Sequence, residues 1–561
     1  KILVKIFMVI VVLIILLVII LSVPAVQTKI AKRVTDSLNE SYDVDIHINR
    51  LGLNWRGQID AREVYIADHR QDTLIYAQEL QADVLNFKNL LNDNFGFGDI
   101  TLTKAKLHYH TYKGEEKDNL YQFSQKFNTG KPKTKVFVLF ADHLELYDSA
   151  VHIINENLES PEILMLDAVT LDADNFRIEA IDVTAQINNM TVVAQRGFKV
   201  TSLQTDFSYT RETMKLEDLT LVTSDSELKG NLIFKYGEDG MADFMNSVVI
   251  DATFDNSKLA TNDLNTFYKE FGSNQVLLVD GKFDGTLNNF RFKNARIASG
   301  ETRVRGDFTI KELISQDKEY SIIANNHYIT TSYYDLRRFM PRLIGKNLPE
   351  QLKPLGNFQF IGNTQITNST LRSKSNLKSA IGNAVVDLEM GRINDFEKAT
   401  YKGKIKVDNF NLGKLTETTS LGDITADLIV KGSGFSQKSV NTSINGTVSS
   451  FDFEGYTYKN IVISGNLKDP VFNGDLSIDD PNVKLDFKGI VDVSKEFNQF
   501  DFEADVTYAE LNKLNLIKRD SVSVFEGRLI MDMDGTTLDD ARGTISFIDT
   551  FYQNERDDYY F

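Results

Sequence analysis

The chain contains no cysteine among its 561 residues. Disulfide bonds, cysteine-ligated zinc, iron–sulfur clusters and thiol catalysis are therefore excluded, while the choice between cytosol and periplasm stays open. Proline is scarce, with 8 residues, and glycine is moderate, with 33, so the composition does not favour low-complexity disorder.

Positive charge is also in short supply, because the net charge is −17 and the sequence has no cluster of lysine and arginine. A nucleic-acid-binding protein needs such a cluster to neutralise phosphates, so we expect no nucleic-acid partner. The acidic surface mainly favours solubility.

Catalytic and metal-binding motifs are missing as well. The sequence has no P-loop, no G-x-S-x-G elbow and no H-E-x-x-H motif. His108 and His110 lie on one side of a predicted strand, but no third ligand is recognisable, which favours ordinary surface histidines. We therefore predict no enzyme, no catalytic residue, no metal and no cofactor.

Long hydrophobic runs are limited to one, which extends from Ile6 to Val26. About 21 residues at 1.5 Å per residue span roughly 31 Å, the thickness of a bilayer's hydrocarbon core. Val23-Pro24-Ala25 also fits a signal-peptide cleavage site, but the run exceeds the usual apolar length of about 7–15 residues. The sequence favours a single transmembrane anchor over residues 1–25.

The segment that follows predicts a helix, because Val26, Ile30, Val34 and Leu38 repeat every four residues. We assign residues 26–43 to this helical extension of the anchor.

From about residue 44 the apolar period changes to two, which is typical of β-strands. Strands recur every 10–15 residues or so, and long crossover helices are missing, so an antiparallel meander is favoured. About 30 strands at ~4.8 Å spacing would make a sheet roughly 140 Å long. The predicted fold is mainly β: after the transmembrane helix, an elongated, twisted antiparallel sheet over residues 44–561 that forms an apolar groove, with few short helices.

Short helical patterns interrupt the strands. They are predicted at Asp83–Asn94, at Lys258–Phe271, at 333–352 as two helices around Pro341, and at 508–517 with Leu511 and Leu514 facing inward.

Several glycines fall within or beside strands, which is compatible with a sheet that curls or with bulges and strand ends. They are Gly465, Gly474, Gly489, Gly527 and Gly543.

The apolar rows are the candidate functional surface. They either seal a core between two sheets or line an open groove, and alternation alone does not separate these alternatives. If the groove is open, the clearest alternating rows form its lipid-contacting wall, with Lys484, Asp486 and Lys488 facing water. The predicted wall comprises Val448, Phe451, Phe453, Leu476, Ile478, Val483, Leu485, Phe487, Phe500 and Phe502.

Most of the chain resembles the TamB branch of the AsmA-like family, especially its Bacteroidetes members. The order and number of degenerate strand motifs carry the resemblance, together with the N-terminal anchor. The motifs are Val64–Leu74 (VYIADHRQDTL), Lys402–Gly413 (KGKIKVDNFNLG), Leu421–Gly432 (LGDITADLIVKG), Ile444–Phe453 (INGTVSSFDF), Gly455–Ile463 (GYTYKNIVI), Phe472–Phe487 (FNGDLSIDDPNVKLDF) and Gly543–Tyr560 (GTISFIDTFYQNERDDYY).

The resemblance implies an inner-membrane, single-pass protein with its bulk in the periplasm, acting in outer-membrane biogenesis. One implied function is a bridge that transports phospholipid to the outer membrane and contacts its acyl chains. The alternative is a subunit of a translocation and assembly module that scaffolds or chaperones outer-membrane protein insertion or secretion. The implied partner is an outer-membrane barrel of the BamA/TamA type. Family members usually end in a further domain that meets this partner, so we expect the protein to continue beyond Phe561.

Overall fold

The computed structural model describes most of the chain after residue 22. The described residues are 23–54, 57–85, 94–126, 138–158, 161–179, 182–194, 197–237, 243–267, 269, 271–312, 319–339, 341–342, 348, 350–395, 397–435, 439–468, 471–493, 498–535 and 541–561. The structure is mainly β, with 68% strand and 11% helix, and contains a long sheet of many strands, as predicted. It divides into two compact units: unit 1 is Lys1–Lys269 with Ser273–Leu287, and unit 2 is Glu270–Gly272 with Asn288–Phe561.

The predicted membrane anchor lies outside the described residues over its positions 1–22. Within the described part of the chain, no helix is both long and apolar enough to cross a bilayer.

Helix α1 spans Pro24–Tyr42, the segment in which the four-residue spacing predicts a helix. Proline suits the first turn, where its missing N–H leaves no bond unmade, and Asp43 ends the helix in the left-handed conformation.

The described residues of unit 1 contain the first part of the strand series and two further helices. Its strands are β1 (Ile46–Leu53), β2 (Gln58–Ala67), β3 (Thr73–Val84), β4 (Asn94–Thr103), β5 (Lys106–Thr111), β6 (Val138–Asn155), β7 (Glu162–Glu179), β8 (Asp182–Ala194), β9 (Lys199–Tyr209), β10 (Thr213–Thr223), β11 (Glu227–Lys235), β12 (Val249–Ala260) and β13 (Val276–Gly285). Its helices α2 and α3 span Asn119–Lys126 and Thr261–Phe267.

Among the described strands of unit 1, pairing is antiparallel except for the pairing of β4 and β5 with β6. Strands β4 and β5 follow one another beside β3, and both pair parallel with β6. Parallel neighbours need a crossover connection, and the segment between β5 and β6 contains α2.

Side chains of α1 cover the outer edge of β1. The side-chain amide of Gln27 donates to the Leu53 carbonyl and accepts from the Leu53 amide. The side-chain amide of Asn39 makes the same two hydrogen bonds with the backbone of Ile46. The Thr28 hydroxyl accepts from the Leu51 amide at 3.1 Å and reaches its carbonyl at 3.3 Å. The helix thereby provides hydrogen-bond partners that a further strand would otherwise supply.

Unit 2 continues as an antiparallel meander throughout its described strands. Its strands are β14 (Phe290–Ser299), β15 (Thr302–Lys311), β16 (Ser321–Ser332), β17 (Asn357–Thr367), β18 (Thr370–Ser379), β19 (Gly382–Gly391), β20 (Thr400–Asn411), β21 (Leu421–Ser433), β22 (Asn441–Phe453), β23 (Tyr456–Lys468), β24 (Val471–Asp480), β25 (Val483–Asp492), β26 (Gln499–Glu510), β27 (Ser523–Asp534), β28 (Arg542–Asn554) and β29 (Asp558–Tyr560). Its helices are α4 (Tyr333–Phe339), a 3₁₀ helix (Glu350–Leu355) and α5 (Leu412–Thr416).

A repeated β-bulge bends the strands. Its central residue has a positive φ, and its amide donates to a side chain on the next strand at 2.7–3.1 Å. The following residue is deeply buried. The bulged residues are Asp218, Asn256, Asn294, Asn326 and Asn409. Because a bulge inserts one residue, the alternation of faces shifts within each strand.

The short helical patterns have mixed outcomes. Within the described residues of segment 258–271 the helix spans Thr261–Phe267, since β12 continues to Ala260. Two short helices flank Pro341 as predicted, although the second begins at Glu350. The helix predicted at 508–517 is wrong, because β26 runs to Glu510 and turns follow. Most of the predicted Asp83–Asn94 helix lies outside the described residues.

Candidate functional site

A continuous row of apolar side chains crosses unit 2 from β18 to β26. Each member faces the next across one strand pair, so the row runs perpendicular to the strands. We call this row the apolar ladder. It comprises Leu377, Ala384, Val407, Ala426, Val448, Ile461, Ile478, Leu485 and Val506. Cross-strand apolar pairs of this kind stabilise a sheet, and here they also produce one uninterrupted apolar band.

A second row runs parallel to the ladder on the same face and is only half-buried. It includes Ile405, Leu428, Ile463, Leu476 and Phe487. On the opposite face the residues between them, such as Lys404, Asp427 and Asp486, are exposed. The face that carries the ladder is therefore apolar but retains solvent-accessible side chains in its second row.

The predicted wall residues are distributed over this face with different degrees of burial. Val448, Ile478 and Val483 are buried, and Phe453 is exposed. The others are half-buried: Phe451, Leu476, Leu485, Phe487, Phe500 and Phe502. Lys484, Asp486 and Lys488 are exposed.

The structure brings many of these residues together. Val448, Ile478 and Leu485 belong to the ladder. The rings of Phe487 and Phe502 lie 5.1 Å apart between centroids, and Leu476 pairs directly with Phe487. Phe500 lies in a separate row, opposite Val491 and Met533.

The wall prediction missed the small members of the ladder. Ala384 and Ala426 are buried in register with Val407, yet alanine carries little signal in an alternating pattern. It also missed the residues that close one end of the strands. Leu355 of the 3₁₀ helix and Leu514 of the turn after β26 are buried against the same cluster.

A short row of glycines lies beside the second row, on the side away from the ladder. Gly465 pairs with Gly474, and Gly474 pairs with Gly489. Neither of these two strand pairs, β23–β24 and β24–β25, contains a register shift. A β-carbon on Gly474 would come within 2.4 Å of the Gly465 α-carbon. The backbones approach too closely there for side chains, which permits local bending of the sheet. Gly527 instead lies at a bulge, and Gly543 lies near the start of β28.

The carboxylate of Asp480, at the end of β24, is buried and hydrogen-bonded. Asp480 is 1% exposed and accepts from the Tyr456 hydroxyl, the Lys459 amide at 3.0 Å and the Asn482 amide at 2.8 Å. Burial and the bond to Asp480 raise the pKa of Tyr456 to about 12. This network fixes the turn between β24 and β25.

Apolar burial in unit 1 is divided among smaller clusters. One is centred on Ile100 and Leu144, another on Val169 and Val192, and a third on Ile250. Each is contributed by neighbouring strands, and none has the length of the ladder in unit 2.

His108 stacks on His152 of β6, with ring centroids 5.0 Å apart, and burial lowers the pKa of His108. His110 instead contacts Glu156 at 3.2 Å. The residues that the structure describes contain no group of three or more His, Cys, Asp or Glu side chains that could hold a metal ion.

No known protein family, curated protein or solved structure matches this chain.

Proposed function

We propose that the protein is an inner-membrane-anchored periplasmic bridge that transports phospholipid to the outer membrane. The observation that supports this proposal best is the apolar ladder with its half-buried second row. A core sealed between two sheets would bury both rows, whereas acyl chains need an apolar surface that they can reach.

Such a surface requires no catalytic group. Each methylene of an acyl chain that leaves water gains about 0.8 kcal/mol, without any directional bond. The contact can therefore be long and degenerate, which suits movement along a row of leucine, isoleucine and phenylalanine side chains.

Site-specific photo-crosslinking tests the proposal in the full-length chain. A photoreactive residue at Leu485 should form adducts with phospholipid, detected by mass spectrometry. The matched control is Asp486, the next residue on the opposite face, which should form none. Equal adduct yields at both positions, or no lipid adduct at Leu485, would reject the proposal.

The substitution Leu485→Asp tests transport itself. Because Leu485 is only half-buried, the variant should still fold, and it should block lipid passage. A fully sealed core would instead lose several kcal/mol through an unpaired buried carboxylate. Unfolding of the variant, or normal transport by a folded variant, would contradict the assignment of Leu485 to a lipid-contacting wall.

A second candidate function is that of a scaffold or chaperone for outer-membrane proteins in a translocation and assembly module, with a BamA/TamA-type barrel as partner. It draws support from the same half-buried second row, because an unfolded apolar segment can contact this row as an acyl chain can. Ile545, Phe547 and Ile548 of β28 are also apolar and 41–48% exposed.

Crosslinking also separates the two candidates. A photoreactive residue at Ile548 should capture unfolded outer-membrane β-protein if the chaperone function operates, whereas a lipid bridge predicts adducts at Leu485 without client capture at Ile548.

A further inference from the structure

A concave surface of unit 2 lies on the face opposite the apolar ladder. It has a volume of about 760 Å³ and is formed by residues of β17 to β23. Small residues such as Gly391 and Ser433 line it, so part of its floor is backbone. It belongs to the polar face of the sheet and is separate from the proposed lipid-contacting wall.

Cations predominate in this pocket although the whole chain has a net charge of −17. Arg372, Glu389, Lys402 and Lys431 line it and face one another in turn across β18, β19, β20 and β21. Among the described residues, the pocket therefore contains three cationic side chains and one carboxylate. Next along the same face, Asp387 lies between Lys374 and Lys404 and contacts Lys374 at 3.4 Å, so this row adds one net positive charge.

Glu389 does not neutralise all these cations. Glu389 contacts the Lys402 ammonium at 2.8 Å and lies 3.8 Å from the Arg372 guanidinium. The bond to Lys402 lowers the pKa of Glu389, which keeps it ionised. Lys431 has no carboxylate partner within the described residues and points its charge at the same concave surface.

Neutral hydrogen-bond donors surround the cations. Ser433, Asn441 and Ser443 line the pocket, and their side chains have no hydrogen-bond partner within the described part of the chain. A phosphate group carries up to two negative charges and several acceptor oxygens, so it is stabilised where ammonium groups and neutral donors occur together.

We propose that this pocket binds a phosphate group, held by Lys402 and Lys431 and assisted by the hydroxyl and amide groups on β21 and β22. Arg372 supplies additional positive charge at the β18 side, and Glu389 limits the affinity by repelling the anion. The group can come from a soluble phosphate ester or from a lipid headgroup, since both present the same oxygens. The site rests on its own geometry and does not depend on lipid transport along the apolar ladder.

Calorimetric titration of inorganic phosphate into the full-length chain at low ionic strength is the primary test. We expect saturable binding that the double substitution Lys402→Gln and Lys431→Gln weakens about tenfold or more, as is typical for the loss of charge-assisted hydrogen bonds. Glu389→Gln should act in the opposite direction and strengthen binding, because it removes the repulsive charge. A change that merely damaged the fold would not raise affinity.

Lys378→Gln is the matched control. Lys378 is an exposed cation on the same face of β18, towards the other end of the strand and outside the pocket. Its substitution should leave phosphate affinity unchanged, and circular dichroism should show the same strand content in all variants.

Vesicles of phosphatidylcholine with and without phosphatidylglycerol distinguish the two sources of phosphate. Phosphatidylglycerol-dependent binding that is lost in the double variant supports a lipid headgroup, whereas binding of inorganic phosphate alone supports a soluble ester. If neither probe binds saturably, or if the double variant binds as well as the unmodified chain, the proposal is overturned. Lipid adducts at Leu485 would be unaffected by that result, so this failure and a failure of the proposed function are distinguishable.

Discussion

One face of the unit 2 sheet changes character between β18 and β19. From β19 onward the row next to the ladder consists of Val386, Ile405 and Leu428, whereas towards β16 it continues as Ser375, Gly362 and His327. This single cross-strand row therefore contains branched apolar side chains from β19 to β21 and small or polar residues from β16 to β18. Apolar packing holds the first region together, and hydrogen bonds hold the second.

The polar region is a closed hydrogen-bond network, which we call the hydroxyl segment: His327, Thr364, Ser373 and Ser375. The Nδ1 of His327 lies 3.2 Å from the Phe360 carbonyl, which can only accept, so Nδ1 carries the proton. Nε2 then accepts from the Thr364 hydroxyl at 2.9 Å. Ser373 lies 3.0 Å from Thr364 and 2.9 Å from Ser375. If acyl chains move along this face, we expect them to favour the region from β19 onward.

The largest expected effect is a charge in the ladder. Ile461 is 8% exposed and lies between Val448 and Ile478, so Ile461→Asp removes apolar contacts and buries a carboxylate without a partner. We expect a loss of about 4 kcal/mol in the free energy of unfolding, measured by urea titration. The control Val462→Asp changes the neighbouring residue, which is 53% exposed on the opposite face, and should cost about 0.5 kcal/mol or less. Similar losses in both variants would show that the two faces do not differ in burial.

The next effect concerns the hydroxyl segment. His327 is fully buried and stacks on Phe360 with ring centroids 4.9 Å apart. His327→Leu keeps an apolar volume but removes one donor to the Phe360 carbonyl and the acceptor of the Thr364 hydroxyl, which should cost about 2 kcal/mol by the same urea measurement. His327→Gln retains a donor and an acceptor and should recover part of the loss. A stabilising His327→Leu would mean that the segment is an ordinary apolar region.

The hydroxyl segment should also make the free energy of unfolding depend on pH. Burial lowers the pKa of His327 in the folded chain. Below about pH 6.5 the unfolded chain takes up a proton that the folded chain resists, so stability should fall as the pH decreases. Burial also lowers the pKa of His108 in unit 1, so this residue contributes to the pH dependence as well. The measurement is therefore the difference in the free energy of unfolding between the unmodified chain and His327→Gln across pH 5–8, in which the contribution of His108 cancels. Parallel curves would contradict a neutral buried histidine.

The sequence predicts the strands of this fold better than it predicts their faces. Alternation identifies β23 to β25 because they have regular register, and Leu476, Ile478 and Leu485 fall on one face as predicted. Within β20 the pattern breaks, since both Val407 and Phe410 enter the same cluster although they are three residues apart. The bulge at Asn409 causes this shift. A polar pair such as Asp255-Asn256 or Asp408-Asn409 in mid-strand is a signal that could have revealed the bulges.

The hydroxyl segment could not be predicted from alternation. Ser373 and Ser375 are buried at 6% and 4% exposure, although serine in a strand normally indicates a solvent-facing position. Their burial depends on His327 from a strand more than 40 residues earlier in the chain, beyond any local pattern.

The smallest expected effect is Ser373→Ala, which tests whether the hydroxyl segment acts as one network. After this change Thr364 still donates to His327, and Ser375 retains Thr364 and the Asn363 carbonyl, both at 3.4 Å. No buried donor is left without an acceptor, so the loss should be about 0.5 kcal/mol, well below that of His327→Leu. Ser449→Ala on the exposed part of β22 serves as the reference and should change little. A loss as large as that of His327→Leu would show that the hydroxyls stabilise the fold cooperatively. A small loss would instead show that the remaining bonds of His327, Thr364 and Ser375 do not depend on Ser373.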